Sequence, residues 1–293
     1  MASESPMVRR RVRSQVLKQR VITAVIMAAV FLAAIAWLPL VGLALLFGLL
    51  VAMGAWEWSS LAGLNNSVMR FAYVLLICLL MGGAYAYYRI GGESRPEQLQ
   101  SLFGLACLWW SVALLWVKGY PGSALFWRSM PMRIVLGILI LVPAWLASVY
   151  LLSFPRGGLL MVILVMVVAA ADIGAYFAGR RFGRQKLAEH VSPKKTWEGF
   201  WGGVAACAML AVLLWTLMPG RADHIGLGAV LSIIVICGLA SVVGDLTVSM
   251  VKRESGVKDT GSLLPGHGGV LDRLDSLSAA APVFALGLLL VGW

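Results

Sequence analysis

With 293 residues that are 60% hydrophobic and only 13% charged, the chain does not resemble a water-soluble domain, in which about 25% of residues are charged. Long apolar blocks separated by short charged segments predict helices that cross a bilayer. They exclude a membrane β-barrel, which shows ~10-residue segments of alternating polarity. The net charge of +11 comes from Lys and Arg residues beside the apolar blocks. This placement indicates membrane topology and anionic lipid headgroups rather than a nucleic-acid partner.

The N-terminal part of the chain predicts a basic tail followed by a helical hairpin. Residues 1–20 are polar and basic, and residues 21–55 are apolar. As one helix the apolar stretch would be about 52 Å long at ~1.5 Å per residue, which is too long for the ~30 Å hydrocarbon layer. Pro39 disfavours an uninterrupted helix, so we predict helices at about 21–38 and 40–56. The stretch also resembles a signal peptide, but its hydrophobicity continues past the cleavage-like site, which favours an uncleaved anchor.

Seven further apolar blocks predict an all-α integral membrane protein with about nine transmembrane helices. With nine spans, all but four of the 24 Lys and Arg residues lie on the side of the N-terminus. The positive-inside rule then predicts a cytoplasmic N-terminus. We expect a multi-pass protein, and the location expected for it is a bacterial cell inner membrane. The further spans are predicted at about 69–88, 99–117, 133–152, 159–178, 200–218, 226–248 and 276–293, and the four exceptions are Arg89, Arg95, Arg156 and Arg221.

The first of two polar loops follows the sixth predicted span. Asp172 lies within the apolar run VVAAADIGAYFAG, where a charge costs at least ~2.5 kcal/mol at the bilayer centre and by default marks a functional site. The alternative is a water-exposed helix end. Ser192-Pro193 precedes a basic run and predicts a helix N-cap region. Lys194 and Lys195 at a helix N-terminus would oppose the helix dipole, and an anion bound between them would relieve this conflict. Alternatively, both lysines only contribute to the positive charge of a cytoplasmic loop.

The second polar loop joins the eighth and ninth predicted spans. Asp245 and Ser249 are four residues apart on the eighth helix and share a face, and Lys252 and Arg253 follow on the same side. The ninth helix begins with a polar face, and the loop between the helices is rich in glycines, whose backbone N–H groups can approach a phosphate closely. The polar face comprises Asp272, Asp275 and Ser276, and the glycines are Gly256, Gly261, Gly266, Gly268 and Gly269.

Acids, cations and exposed backbone amides at one membrane face predict phosphoryl or nucleotidyl transfer. Carboxylates beside apolar helices suit magnesium, which binds through one or two carboxylates plus substrate phosphates, and Lys and Arg suit a polyphosphate. The chain has neither a Walker A sequence nor GxGxxG, so neither common nucleotide-binding fold is implied. We divide the chain into a basic cytoplasmic tail (1–20), N-terminal transmembrane helices (21–158) and a transmembrane catalytic region with two cytoplasmic loops (159–293).

The second polar loop and its flanking helices resemble the signature of phosphatidate cytidylyltransferases. The matching residues are Ser249-Met250-Val251-Lys252-Arg253, then Lys258-Asp259-Thr260-Gly261, then LPGHGGVLDRLD from Leu264 to Asp275, with further similarity at Gly244-Asp245 and from Ser192 to Thr196. The resemblance implies a nine-span homodimer that converts CTP and phosphatidic acid to CDP-diacylglycerol and pyrophosphate. It also implies a magnesium site in which Asp245 and Asp272 hold the metal, and a second cation, for which potassium is the candidate.

Two groups of site residues are expected from these patterns. The expected catalytic residues are Asp245, Asp272, Lys252 and Arg273, and the expected substrate-binding residues are Lys194, Lys195, Ser249, Arg253, Lys258, His267, Gly268 and Gly269. His267 could act as a nucleophile, although a loop histidine is more often a hydrogen-bonding residue. Asp275 could bind metal or hold Arg273.

Two other functions fit parts of the pattern. A transporter also uses intramembrane acids, but it should place its charges near the bilayer midplane, often with inverted repeats. Here the charges cluster in two loops instead. A related CTP-using lipid enzyme, such as a polyprenol kinase, would release CDP where a cytidylyltransferase releases pyrophosphate. The identity of the products therefore separates the candidates.

Overall fold

The computed structural model describes residues 6–92, 96–217, 225–261, 263 and 268–292, with side chains placed from residue 21 onward. Within these ranges the chain forms ten helices and one antiparallel pair of short strands. The elements are α1 (Pro6–Trp37), α2 (Leu40–Leu61), α3 (Ser67–Tyr88), α4 (Pro96–Gly119), α5 (Ala124–Trp127), α6 (Met130–Leu152), α7 (Gly157–Phe182), β1 (Lys186–Ala188), β2 (Ser192–Thr196), α8 (Trp197–Leu217), α9 (Leu227–Glu254) and α10 (Leu271–Leu290).

Most of these helices are membrane spans by length and composition. In the described part of the chain, eight helices are long and apolar enough to cross a bilayer, and Val21–Trp37 of α1 adds a shorter apolar helix. The predicted all-α membrane class with about nine spans is therefore confirmed, while the cytoplasmic N-terminus stays a prediction. Because α1 begins at Pro6, most of the segment predicted as a tail continues the first span as a helix.

The predicted break near Pro39 is confirmed. α1 ends at Trp37 and α2 begins at Leu40, with Pro39 in an extended conformation between them (φ −68°, ψ 165°). The rings of Phe31 and Phe47 meet edge to face across the turn, with centroids 6.4 Å apart. The first apolar stretch is thus two helices that fold back on each other, as the excessive length of a single helix requires.

Several helices extend further toward the polar side than predicted, and three of them carry charged residues that the prediction left outside the spans. α2 runs to Leu61 rather than 56, α9 runs to Glu254 rather than 248, and α10 begins at Leu271 rather than 276. The prediction ended each span where charged residues appear. In the structure the charged side chains of these end turns make hydrogen bonds and ion pairs within the protein, so the helices continue through them.

α6 lies at the centre of the bundle, where it packs against α2, α3, α4, α7 and α10. Its buried side chains include Leu136, Ile140, Leu146 and Leu151, each at most 1% exposed. α10 in turn packs against α2, α4, α6, α7 and α9. The N-terminal helices and the helices that carry the polar motifs therefore share one core.

Polar contacts join several helix ends at one face of the bundle. Arg133 at the start of α6 donates to the carbonyl oxygen of Leu61 at 2.9 Å and to the Ser255 hydroxyl at 3.1 Å. The Tyr120 hydroxyl donates to Glu254 at 3.2 Å. These bonds place the end of α2, the start of α6 and the end of α9 on the same side, as the alternation of nine spans requires.

Candidate active site

The predicted helix N-cap at Ser192-Pro193 is wrong, because these residues begin strand β2. Ser192 pairs with Ala188 of β1, and α8 begins only at Trp197. Thr196 caps that helix, since its Oγ1 accepts a hydrogen bond from the N–H of Gly199 at 3.1 Å, the usual role of Thr at this position. Proline before a basic run marks an extended hairpin here rather than the start of a helix.

The two lysines of β2 have different surroundings. Lys194 is exposed, whereas Lys195 is half-buried and forms an ion pair with Asp245 of α9. The dipole argument for these lysines does not apply in a strand, and the ion pair explains the placement of Lys195 instead. Arg253 fastens the strand hairpin to α9 by donating from Nε to the carbonyl oxygen of Val191 at 3.1 Å. The first polar loop thereby brings a cation to an acid of α9.

The last turns of α9 carry the predicted polar face. The Ser249 hydroxyl donates to Oδ1 of Asp245 at 3.2 Å, which confirms that these two residues share a face. Lys252 is buried and donates from Nζ to Oδ1 of Asp272 at 2.8 Å. Arg253, the next residue, points about 100° away from Lys252 around the helix axis, and its side chain contacts the strand hairpin. The last turn of α9 therefore contacts both polar loops.

Asp272, in the first turn of α10, has both carboxylate oxygens engaged. Oδ1 accepts from Lys252, and Oδ2 accepts from the backbone N–H groups of Thr260 at 3.0 Å and Gly269 at 2.9 Å. Gly268 has a positive φ of 82°, and a Cβ there would lie only 2.6 Å from Oδ2 of Asp272. Glycine is therefore required at this position for the loop to approach the carboxylate.

Two further acids belong to the same charged cluster. Asp275 is buried on α10 and interacts electrostatically with Asp245 and Lys252. Asp172 is exposed on α7 and interacts electrostatically with Lys195 and Asp245. Asp172 lies ten residues before the end of α7, and its functional role stays a prediction.

Sequence reasoning missed Glu57, a buried acid near the end of α2. Its carboxylate accepts hydrogen bonds from the N–H groups of Val270 at 2.9 Å and Leu271 at 2.8 Å, and from the Thr260 hydroxyl at 2.7 Å. A signal for it was present, because Glu57 is the only acidic residue between positions 21 and 92. An acid within an apolar span is costly, and the argument applied to Asp172 also applied here.

The remaining predicted site residues lie around this cluster. Lys258 and Arg273 are exposed, and Gly269 is buried beside Asp272. Arg273 is in the first turn of α10, next to Asp272 in sequence. His267 lies outside the described residues. The structure thus brings together Asp245, Asp272, Lys195, Lys252 and Ser249. Arg273 interacts electrostatically with Asp172, and Lys194 and Lys258 are exposed cations of the neighbouring segments.

The acids of the cluster fit a magnesium ion that arrives with a polyphosphate. Among the described residues, no group of three or more acid, His or Cys side chains is arranged to hold a metal. Magnesium needs only one or two carboxylates where phosphates and water complete its coordination. Asp245 and Asp272 carry such oxygens, and each faces a lysine ammonium. Both oxygens of Asp272 already accept hydrogen bonds, so a metal there would have to replace the ammonium of Lys252. The Asp245 side chain is 26% exposed and the more accessible of the two.

Known proteins are similar in sequence to this chain over nearly its full length. Residues 18–291 match the sequence model of the cytidylyltransferase family. A phosphatidate cytidylyltransferase of Pseudomonas aeruginosa is 43% identical over 277 residues, which cover 94% of this chain and 98% of the relative. Relatives of the same name from Haemophilus influenzae and Brucella suis are 40% and 33% identical, each over 92% of this chain and over 97% and 92% of their own. The chain belongs to the cytidylyltransferase family.

Proposed function

We propose that the chain transfers the cytidylyl group of CTP to phosphatidic acid, giving CDP-diacylglycerol and pyrophosphate in phospholipid biosynthesis. The observation that carries the proposal is the pairing of two acids with two lysines from separate segments, Asp245 with Lys195 and Asp272 with Lys252. Family membership supports the cytidylyl group as the group transferred, and the shared name of the relatives supports phosphatidate as the acceptor. Placement of the charges at one face, rather than at mid-bundle, disfavours a transporter.

Charge neutralisation and alignment are the main demands of this reaction, because two anions must meet. Lys195 and Lys252 lie within the cluster, and the exposed Lys194, Lys258 and Arg273 lie in the segments around it. These cations neutralise the triphosphate of CTP and the phosphate of the lipid. The described N–H groups of the second polar loop act indirectly, because those of Thr260 and Gly269 hold the carboxylate of Asp272 in place.

The nucleophile needs no activating base. A phosphate monoester has its second pKa near 6, so the lipid phosphate is already ionised at neutral pH. Its oxygen attacks the α-phosphorus of CTP, the new P–O bond forms, and the bond from the α-phosphorus to the oxygen of the β-phosphate breaks. Pyrophosphate leaves with that electron pair. No covalent nucleotidyl-enzyme is needed, so His267 has no required role as a nucleophile.

Magnesium and a second cation, potassium, are proposed cofactors, with Asp245 and Asp272 as the residues that would hold the metal. When bound, magnesium would neutralise phosphate charge beside the lysines. We further propose that the protein is a homodimer and lies in a bacterial inner membrane with both polar loops in the cytoplasm. The concentration of Lys and Arg in the segments on that side supports this orientation.

The test uses purified protein in detergent with phosphatidic acid, magnesium and CTP labelled separately at the α- or the γ-phosphate. The proposal expects the α-label in the lipid product and the γ-label in released pyrophosphate. A lipid kinase would instead place the γ-label in the lipid and release CDP. A transporter would convert neither form of CTP, and either of these results would contradict the proposed function.

A further inference from the structure

We propose that Glu57 is a positioning residue for the CTP site, although it lies on α2 and far from both polar loops in sequence. Its side chain is buried, and the residue is 4% exposed. The three donors that it accepts from are the Thr260 hydroxyl, within the second polar loop, and the N–H groups of Val270 and Leu271, at the start of α10. One carboxylate therefore ties that loop to the N-terminus of α10. The inference rests on the proposed function, because it takes this loop to bind CTP.

Glu57 supplies the cap that α10 lacks in its own sequence. Val270, the N-cap residue of α10, has an apolar side chain, and the first N–H groups of a helix have no partner within the helix. Glu57 accepts from two of them, and its negative charge is favourable at a helix N-terminus. The loop also packs tightly on this carboxylate, since a Cβ at Gly261 would lie 2.7 Å from Oε1 of Glu57.

Thr260 connects Glu57 to the charged cluster. Its hydroxyl donates to Glu57, while its N–H donates to Oδ2 of Asp272 at 3.0 Å. Asp272 in turn pairs with Lys252. Removing the charge of Glu57 would release Thr260 and the start of α10 together, and so displace the loop amides and Asp272 relative to Lys252. Lys195 would keep its place, because it is held by the strand hairpin and α9.

The experiment compares Glu57→Gln and Thr260→Val with wild type, using the exposed Glu97→Gln as the matched control. Both test variants should raise the KM for CTP at least about tenfold, the effect expected from losing a hydrogen bond to a charged group. The KM for phosphatidic acid should stay within about twofold of wild type. Hydrogen–deuterium exchange should accelerate in peptides covering residues 268–274 but not in those of α6. Glu97→Gln should match wild type in every measurement.

Two results would overturn the inference. A lower kcat that follows the folded fraction, with both KM values unchanged, would make Glu57 a purely structural residue. Unchanged exchange at residues 268–274 in a folded Glu57→Gln variant would show that it does not fix the loop. If Glu57→Gln does not fold, Thr260→Val decides by the same two measurements. Failure of the proposed function itself is recognised separately, because wild type would then make no CDP-diacylglycerol, whereas the exchange measurement would still report on the loop.

Discussion

Asp245 and Asp272 should differ in their contribution to stability, although we expect both to be essential for turnover. The Lys252–Asp272 pair is buried, with side chains 8% and 6% exposed. Asp272→Asn would leave the Lys252 ammonium buried against an amide, and breaking a buried pair typically costs about 3–5 kcal/mol. In the Lys195–Asp245 pair both side chains are 26% exposed. Because water can solvate the lysine left behind, Asp245→Asn should cost only about 1 kcal/mol.

Thermal unfolding of the two variants in one detergent measures this difference. At about 2–4 °C per kcal/mol for a chain of this size class, Asp272→Asn should lower the Tm by about 6 °C or more, and Asp245→Asn by a few degrees at most. Both variants should lose at least about a hundredfold in turnover, because each removes charge from the site. Adding Lys252→Met to Asp272→Asn should recover much of the Tm and none of the activity.

The comparison can fail in two separate ways. Equal losses of Tm in Asp245→Asn and Asp272→Asn would mean that burial of the Lys252–Asp272 pair does not distinguish the two acids. Turnover close to wild type in either variant would remove that acid from the catalytic site. The variant that carries both Asp272→Asn and Lys252→Met is the control for a general folding defect. Removing the unpaired Lys252 would not raise the Tm if Asp272→Asn destabilised the protein for another reason.

Three further outcomes follow from the charges of the site. Lys252→Gln should reduce kcat/KM at least about a hundredfold, whereas Arg20→Gln should leave it near wild type; equal effects would mean that the site charges only orient the protein. Labelled pyrophosphate should not exchange into CTP without lipid, and the kinetics should be sequential; lipid-free exchange that is lost in His267→Ala would instead reveal a covalent intermediate. In a background free of other cysteines, Gln185→Cys should react from the cytoplasm and Arg156→Cys from the opposite side, and the reverse pattern would contradict the orientation.

Local patterns were enough to predict much of the fold and part of the site. Apolar blocks define spans because each helix must satisfy its backbone hydrogen bonds alone in a bilayer, and Pro39 breaks the first block for a reason that needs no tertiary contact. Asp245 and Ser249 could be placed on one face because helical periodicity is a local property. The partners of these residues on other segments could not be assigned in this way.

The features that the sequence did not reveal depend on packing between distant segments. Glu57 meets Val270 across more than two hundred residues, and only the packing of α2 against α10 brings them together. Ser192-Pro193 predicts a helix start because proline suits the first turn of a helix, but proline also suits an extended edge strand. The pairing of Ser192 with Ala188 decides for the strand.

We therefore expect the N-terminal helices to complete the site rather than only to anchor it. The sequence-based boundary at residue 158 separates N-terminal spans with few polar residues from C-terminal spans with many. Contacts between these two parts nevertheless hold the second polar loop. Glu57 caps α10, and Arg133 binds Ser255 just beyond the end of α9. A fragment beginning at residue 159 would retain Asp245, Asp272 and both paired lysines, but the Thr260 hydroxyl and the first N–H groups of α10 would lack their acceptor. Since alignment of charged groups is the main requirement of the transfer, we expect such a fragment to be inactive even if it inserts into the membrane.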